Sequence, residues 1–259
     1  GRLLPFTLGG IILAALAGYM LVKPPQMDPK TFCPQGIKDM GKTALLIDVS
    51  DKLTDNQAAR LHNELINISN VATDRPSPFL QKGEMLLVYF VEPEGQVPSL
   101  VFSMCHPGDV QNRTATEKAS EARFFAEKKW KKFTGDIMLS IQTKIDGLTE
   151  MSTSPIIEAI QFIRAKNFPP PDLMNEDVTH RLIIWSDLLQ NSTEENHFMD
   201  LGDYNKVLKL NPLELRGVDV SIFQTISKKY SKYQTNEHVV WWRNVFAKSR
   251  ASMNMWEKI

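Results

Sequence analysis

The sequence has no excess of either charge. Thirty Lys and Arg balance thirty Asp and Glu across 259 residues, so no global field recruits nucleic acid or acidic substrates. Only two cysteines are present, Cys33 and Cys105, and neither belongs to a C-x-x-C pair. A zinc-ribbon type of site is thereby excluded. No G-x-x-x-x-G-K-[ST] loop exists; "GKTA" at 41–44 lacks the upstream Gly and precedes a strand-like run instead of a helix. No G-x-S-x-G elbow is present to expose a nucleophilic serine. The five histidines, His62, His106, His180, His197 and His238, lie apart with no H-x-x-x-H spacing, and read as surface or helix-packing residues. There is no internal repeat or low-complexity tract.

Long apolar runs are also scarce. The one exception is "LLPFTLGGIILAALAGYMLV", Leu3 to Val22, without an ionisable side chain. At about 1.5 Å per residue it matches a hydrocarbon core of roughly 30 Å. A signal-peptide core of ~7–15 residues would be shorter and followed by a small-residue cleavage site. "VKPPQMDPK" offers none. The expected organisation is therefore a transmembrane helix over 1–23, a proline-rich linker over 24–42, and a single domain over 43–259. Gly10, Ala14 and Gly18 fall on one face of the span, a pattern that lets helices approach closely in lipid.

Strand candidates are the apolar, β-branched runs Thr43–Val49, Glu84–Val91, Leu100–Met104, Arg181–Ser186 and Val218–Ile226. Most are continuous rather than alternating, which predicts burial on both faces. "EPEGQVPS" between the second and third predicts a tight reversal and an antiparallel hairpin. Helical periodicity marks Asp55–Ser69, Thr116–Leu148 (broken at Gly135), Ser154–Lys166 and Asn236–Arg250. The alternation predicts an α/β fold: a doubly wound, mostly parallel sheet with one antiparallel hairpin strand, preceded by the transmembrane helix. In the adjacent pair Trp241–Trp242, one indole is expected inside and the other at an interface.

In such a sheet Cys33 and Cys105 fall at the same edge. A bridge between them would stabilise by roughly 3–5 kcal/mol and would place the domain in an oxidising space; the alternative is two unrelated reduced thiols. With the span, the bridge predicts a single-pass protein of the bacterial inner membrane with a periplasmic domain.

Ligands of doubly wound sheets sit beyond the carboxyl ends of the strands. Asp48 and Ser50 follow the first strand in "LLIDVSDK" (45–52). "STSPIIEAI" (152–160) opens a helix, and Asp187 follows "LIIWS" in "LIIWSDLLQNS" (182–192). Together with "LELRGVDVSIFQ" (213–224) and "HVVWWRNVFAKSRA" (238–251), these segments resemble, in order and spacing, the von Willebrand factor A domain family. The resemblance implies a metal-ion-dependent adhesion site, here degenerate. Its Mg2+ would be held by Asp48, Ser50, Ser154 and Asp187, and a partner's acidic side chain would complete the coordination. Lys52 stands where the family's pattern has a second Ser. Its ammonium either points away and leaves the site one ligand short, or lies between the carboxylates and supplies the positive charge itself.

The resulting expectation is a non-catalytic, membrane-anchored protein–protein interaction module. It would be a structural or recruiting component of a multi-protein envelope complex, oligomeric through its loop face and its span. Two alternatives are a membrane-tethered metal-dependent hydrolase, and a structural subunit with an inert loop site that assembles through the transmembrane helix. A haloacid-dehalogenase-like phosphatase would need a second carboxylate where Ser50 stands.

Overall fold

The computed structural model describes residues 26–37, 39–51, 53–69, 80–108, 110, 115, 118, 121–149 and 151–259. The elements in chain order are β1 (Lys42–Ile47), α1 (Asp55–Ser69), β2 (Met85–Phe90), β3 (Ser99–Cys105), α2 (Arg123–Asp146), α3 (Ile156–Asn167), β4 (His180–Ser186), α4 (Tyr204–Leu210), β5 (Asp219–Gln224), α5 (Asn236–Lys248) and β6 (Ser252–Lys258). They build one six-stranded sheet in the order β3-β2-β1-β4-β5-β6. Only β3 runs antiparallel; the other neighbours pair in parallel.

The apolar runs are continuous because both faces of the sheet are covered. Ala44, Leu46, Leu182, Ile184, Val220 and Ile222 point into one core, against α3 and α5. Leu45, Ile47, Ile183, Trp185 and Phe223 point into the other, against α1 and α2. The period-2 alternation of the strand thus serves two cores at once. β1 and β4 are adjacent at the centre of the sheet, with Ile47 opposite Trp185. Asp48 and Asp187 therefore leave the sheet from the same end.

The sulfurs of Cys33 and Cys105 are bonded, across 72 residues of sequence. The Cys105 amide also donates to the Thr31 carbonyl at 2.7 Å. The proline-rich segment is thereby fixed to edge strand β3.

The expected transmembrane helix over 1–23, with Gly10, Ala14 and Gly18, lies outside the described residues. Among the described residues no helix is long and apolar enough to cross a membrane. The longest, α2, buries Phe133, Ile137 and Ile141 on one stripe and is otherwise studded with charge. The fold expectation is corrected accordingly: what the structure supports is a mostly parallel, Rossmann-like sheet with one antiparallel strand, without the span placed before it. The readings that rested on a span have no support in this structure and are withdrawn. They are the inner-membrane placement, the periplasmic domain, the assembly with partners through the helix, and the anchored role in an envelope complex.

Three local expectations also change. α2 runs through Gly135 unbroken. Both Trp241 and Trp242 are buried, because the segment after β4 folds over α5 and covers Trp241, whose Nε1 donates to the Gly202 carbonyl. β6 follows α5 where no strand was expected.

Candidate functional site

Four loops meet at the carboxyl end of the sheet. β1 delivers Asp48, whose amide still pairs with the Trp185 carbonyl at 2.8 Å. Asp48 is buried and accepts three hydrogen bonds. Its Oδ1 takes the Ser50 amide at 3.0 Å, an Asx turn that bends the chain away from the sheet. Its Oδ2 takes the Ser154 hydroxyl at 3.0 Å and the Ser186 hydroxyl at 2.8 Å.

Ser154 is held by backbone pairing. Its amide donates to the Asn191 carbonyl at 2.8 Å, and the Asn191 amide donates back at 3.0 Å. Gln190 reinforces the join, because its Oε1 accepts the Ile157 amide at 3.0 Å and satisfies one of the free donors at the start of α3. The loop that carries Ser154 is thus tied to the loop that carries Asp187.

Asp187 is also buried. Its Oδ1 accepts the Leu189 amide at 2.9 Å. The next residue, Leu188, has φ +62°, a left-handed conformation that is costly for a branched side chain. It is held there by α5. His238 Nε2 lies 2.8 Å from the Leu188 carbonyl, and Trp242 Nε1 donates to the same oxygen at 2.7 Å. Gln234 completes the frame by donating to the Asp187 and Thr225 carbonyls at 3.0 and 2.7 Å.

The electrostatics follow from this burial. Burial, and next the Asp48 charge, hold the Asp187 carboxyl well above the usual range. Burial also pushes Asp48 up, opposed by its hydrogen bonds from Ser50, Ser186 and Ser154. Those donors favour the ionised form of Asp48. Burial and the Asp48 charge thus shift the balance of Asp187 toward its protonated form.

Two clefts open beside Asp187, and one of them also reaches Asp48. One, of about 620 Å³, is lined by Asp48, Ser50 and Asp187 together with Leu53, Leu148 and Ile226. The other, of about 360 Å³, is lined by Ser50, Asp187 and Ser154 together with Phe198 and Tyr230. Asp48, Ser50, Ser154 and Asp187 thus converge from three separate sequence segments. Ser186 is the participant that sequence reasoning missed. It is the last residue of β4, one position before Asp187. Lys52 lies outside the described residues.

The donor set suits a hard divalent cation such as Mg2+: carboxylate and hydroxyl oxygens, with room for water in the clefts. Among the described residues no three His, Cys, Asp or Glu side chains gather as a metal cluster, so such a site would lean on Ser50, Ser154 and water. No ion pair among the described residues joins Lys or Arg to either carboxylate.

No protein-family model matches the chain, and no curated protein matches it. A solved structure, that of an aerotolerance-related membrane protein from Bacteroides fragilis NCTC 9343 with multiple mutations to serines, shares 7% identity. The match covers 85% of this chain and 91% of that one, with a TM-score of 0.38. A likeness so weak supports no argument about function. The resemblance to the von Willebrand factor A family is therefore corrected: the segments that suggested it are short strand-end loops, which any doubly wound sheet brings to one rim.

Proposed function

We propose that the chain is a non-catalytic α/β binding domain. In this reading Asp48, Ser50, Ser154 and Asp187 take up a divalent cation, with Mg2+ the best fit. The observation that carries it is the pair of buried carboxylates, Asp48 and Asp187, without a basic partner among the described residues. A cation would compete with a proton there and relieve the mutual repulsion that burial intensifies. A binding role is favoured over hydrolysis because no histidine lines either cleft, Asp48 and Asp187 are assigned to the cation, and Asp51, the remaining carboxylate common to both clefts, accepts the Ser227 hydroxyl.

Thermal unfolding in Mg2+ against EDTA tests the reading. Stabilisation by Mg2+ that disappears in Asp48→Ala supports it. The same melting curve in both media overturns it.

A further inference from the structure

A third cleft, of about 240 Å³, opens at the amino end of the sheet, remote from Asp48. Lys42 is the first residue of β1 and His180 the first of β4, and the two are partners in the parallel register. Both line the cleft. Like Ala44 and Leu182 two positions further on, they lie on the face covered by α3. Two features of this cleft run against the usual sorting of residues. His180 is only 4% exposed, and its Nδ1 makes no hydrogen bond among the described residues. Leu173, on the opposite account, is 74% exposed at the cleft wall.

We propose that this cleft binds a small organic monoanion, a carboxylate on a single ring or short branched chain, with the carboxylate beside Lys42 and His180 and the apolar body against Phe168, Pro169 and Leu173. The Lys42 Nζ donates to the Asn167 carbonyl at 2.9 Å. That bond fixes the ammonium at the cleft and leaves two of its three N–H groups for a ligand. No Asp or Glu pairs with Lys42 among the described residues. Asp39, which also lines the space, opposes a second negative charge and so favours a carboxylate over a phosphate dianion. The volume lies below the roughly 300–1,000 Å³ of drug-sized sites, which limits the body to a compact one. Covering Leu173 removes apolar surface from water.

His180 gives the site a pH dependence. Burial, then the Lys42 and Arg164 charges, lower its pKa, while Glu84 and Asp39 act the other way. Glu84 is already engaged, accepting from Arg181 Nη1 at 2.6 and 2.8 Å. An anion held at Lys42 offsets the positive field on the imidazole and favours its charged form. Binding therefore takes up part of a proton and tightens as pH falls. The site is independent of the cation reading, since neither Asp48 nor Asp187 enters it.

The test is titration of the purified protein, isotope-labelled at histidine, with benzoate, benzamide and inorganic phosphate, followed by NMR of the imidazole rings. The His180 signal is the one lost in His180→Gln. Benzoate should move it with a dissociation constant of about 1 mM or tighter. Benzamide and phosphate should bind about tenfold more weakly. Benzoate should bind more tightly at about pH 6 than at about pH 8. Lys42→Met keeps the aliphatic stem and should weaken benzoate about tenfold. Leu173→Ser, at an exposed position, should weaken it about threefold with the melting temperature unchanged, and serves even where Lys42→Met does not fold. A His180 signal that benzoate does not move overturns the proposal. Benzamide binding as tightly as benzoate overturns the carboxylate. Phosphate binding as tightly, or unchanged affinity in Leu173→Ser, overturns the apolar body.

Discussion

The Ser154 hydroxyl donates to Asp48 Oδ2 at 3.0 Å, although 106 residues separate the two in the chain. The bond exists because β1 and β4 are neighbours and because Asn191, just after β4, pairs with the Ser154 backbone. It turns three loops into one site. It also leaves the Ser154 oxygen lone pairs open for a cation while its proton serves Asp48.

Ser154→Ala should therefore do two things. It removes one donor from a buried carboxylate, at a cost of about 1 kcal/mol in stability, and it removes a cation ligand. Mg2+ affinity should fall about tenfold, and Ser154→Thr, which keeps the hydroxyl, should restore most of it. Calorimetric titration of the three proteins measures this directly. An unchanged affinity in Ser154→Ala would remove that residue from the ligand set.

Asp187→Asn separates the cost of the site from its use. Asp187 binds its proton more tightly folded than unfolded. Its contribution favours the fold below the ordinary carboxylate range and is lost as pH rises through its elevated folded value. At neutral pH the cation-free protein should then be stabilised by Asp187→Asn, by about 1–3 kcal/mol. The same substitution should abolish stabilisation by Mg2+. Urea unfolding at neutral pH, with and without Mg2+, gives both numbers. A destabilised Asp187→Asn would show that the carboxylate is already compensated.

Much of this arrangement was legible in the sequence, for identifiable reasons. The limits of α1, Asp55–Ser69, follow from the sequence because Leu61, Leu65 and Ile68 form one apolar stripe. β1 and β4 were found because strands buried on both faces are apolar throughout. Asp48 and Asp187 stood out as the first carboxylates after such runs. β6 was not found: "SMNMWEK" has no β-branched residue and is largely exposed along its first half, so it shows neither period. Its place is set by pairing with β5, a tertiary effect. The covering of Trp241 was equally invisible, since it depends on the Gly202 carbonyl reaching the indole at 2.6 Å. The resemblance to a named family misled because loop chemistry at strand ends is dictated by topology, and short loops bear little else that distinguishes one family from another.

His197 should make the fold acid-sensitive. Its ring is enclosed by His238, Trp241 and Trp242 at centroid distances of 5.1, 4.6 and 6.0 Å; neither ring nitrogen makes a hydrogen bond, and the Glu195 carboxyl, 3.5 Å from Nε2, offsets only part of the cost of burial. Burial, with the His238 charge behind it, lowers its pKa to about 3. For a base depressed in the folded state, stability is intact above the unfolded value of about 6.5 and is lost as pH falls toward the folded one. At pH 4.5 the loss from this group is about 3 kcal/mol. His197→Phe should shift the acid transition downward and change neutral-pH stability by less than about 1.5 kcal/mol. Part of the transition should remain, because burial also lowers His180 and His238. Circular dichroism against pH decides it; the same acid midpoint in His197→Phe would count against the assignment.

The Cys33–Cys105 bridge closes a long loop and should contribute about 3–5 kcal/mol. Reduction should lower the urea midpoint with little change at the cation site, since the bridge lies at the opposite end of the sheet from Asp48. Urea unfolding with and without reductant, each repeated in Mg2+, measures both effects. Loss of the Mg2+ response on reduction would contradict the independence of the two ends.

The central claim is that a divalent cation binds at Asp48 and Asp187 in competition with a proton. Calorimetric titration of Mg2+ in two buffers of different ionisation enthalpy tests it most directly. The account predicts one saturable site, binding that tightens as pH rises, release of a fraction of a proton up to about one per cation, and loss of all three in Asp48→Ala. No saturable heat, or an isotherm that is the same in both buffers and in Asp48→Ala, would contradict it.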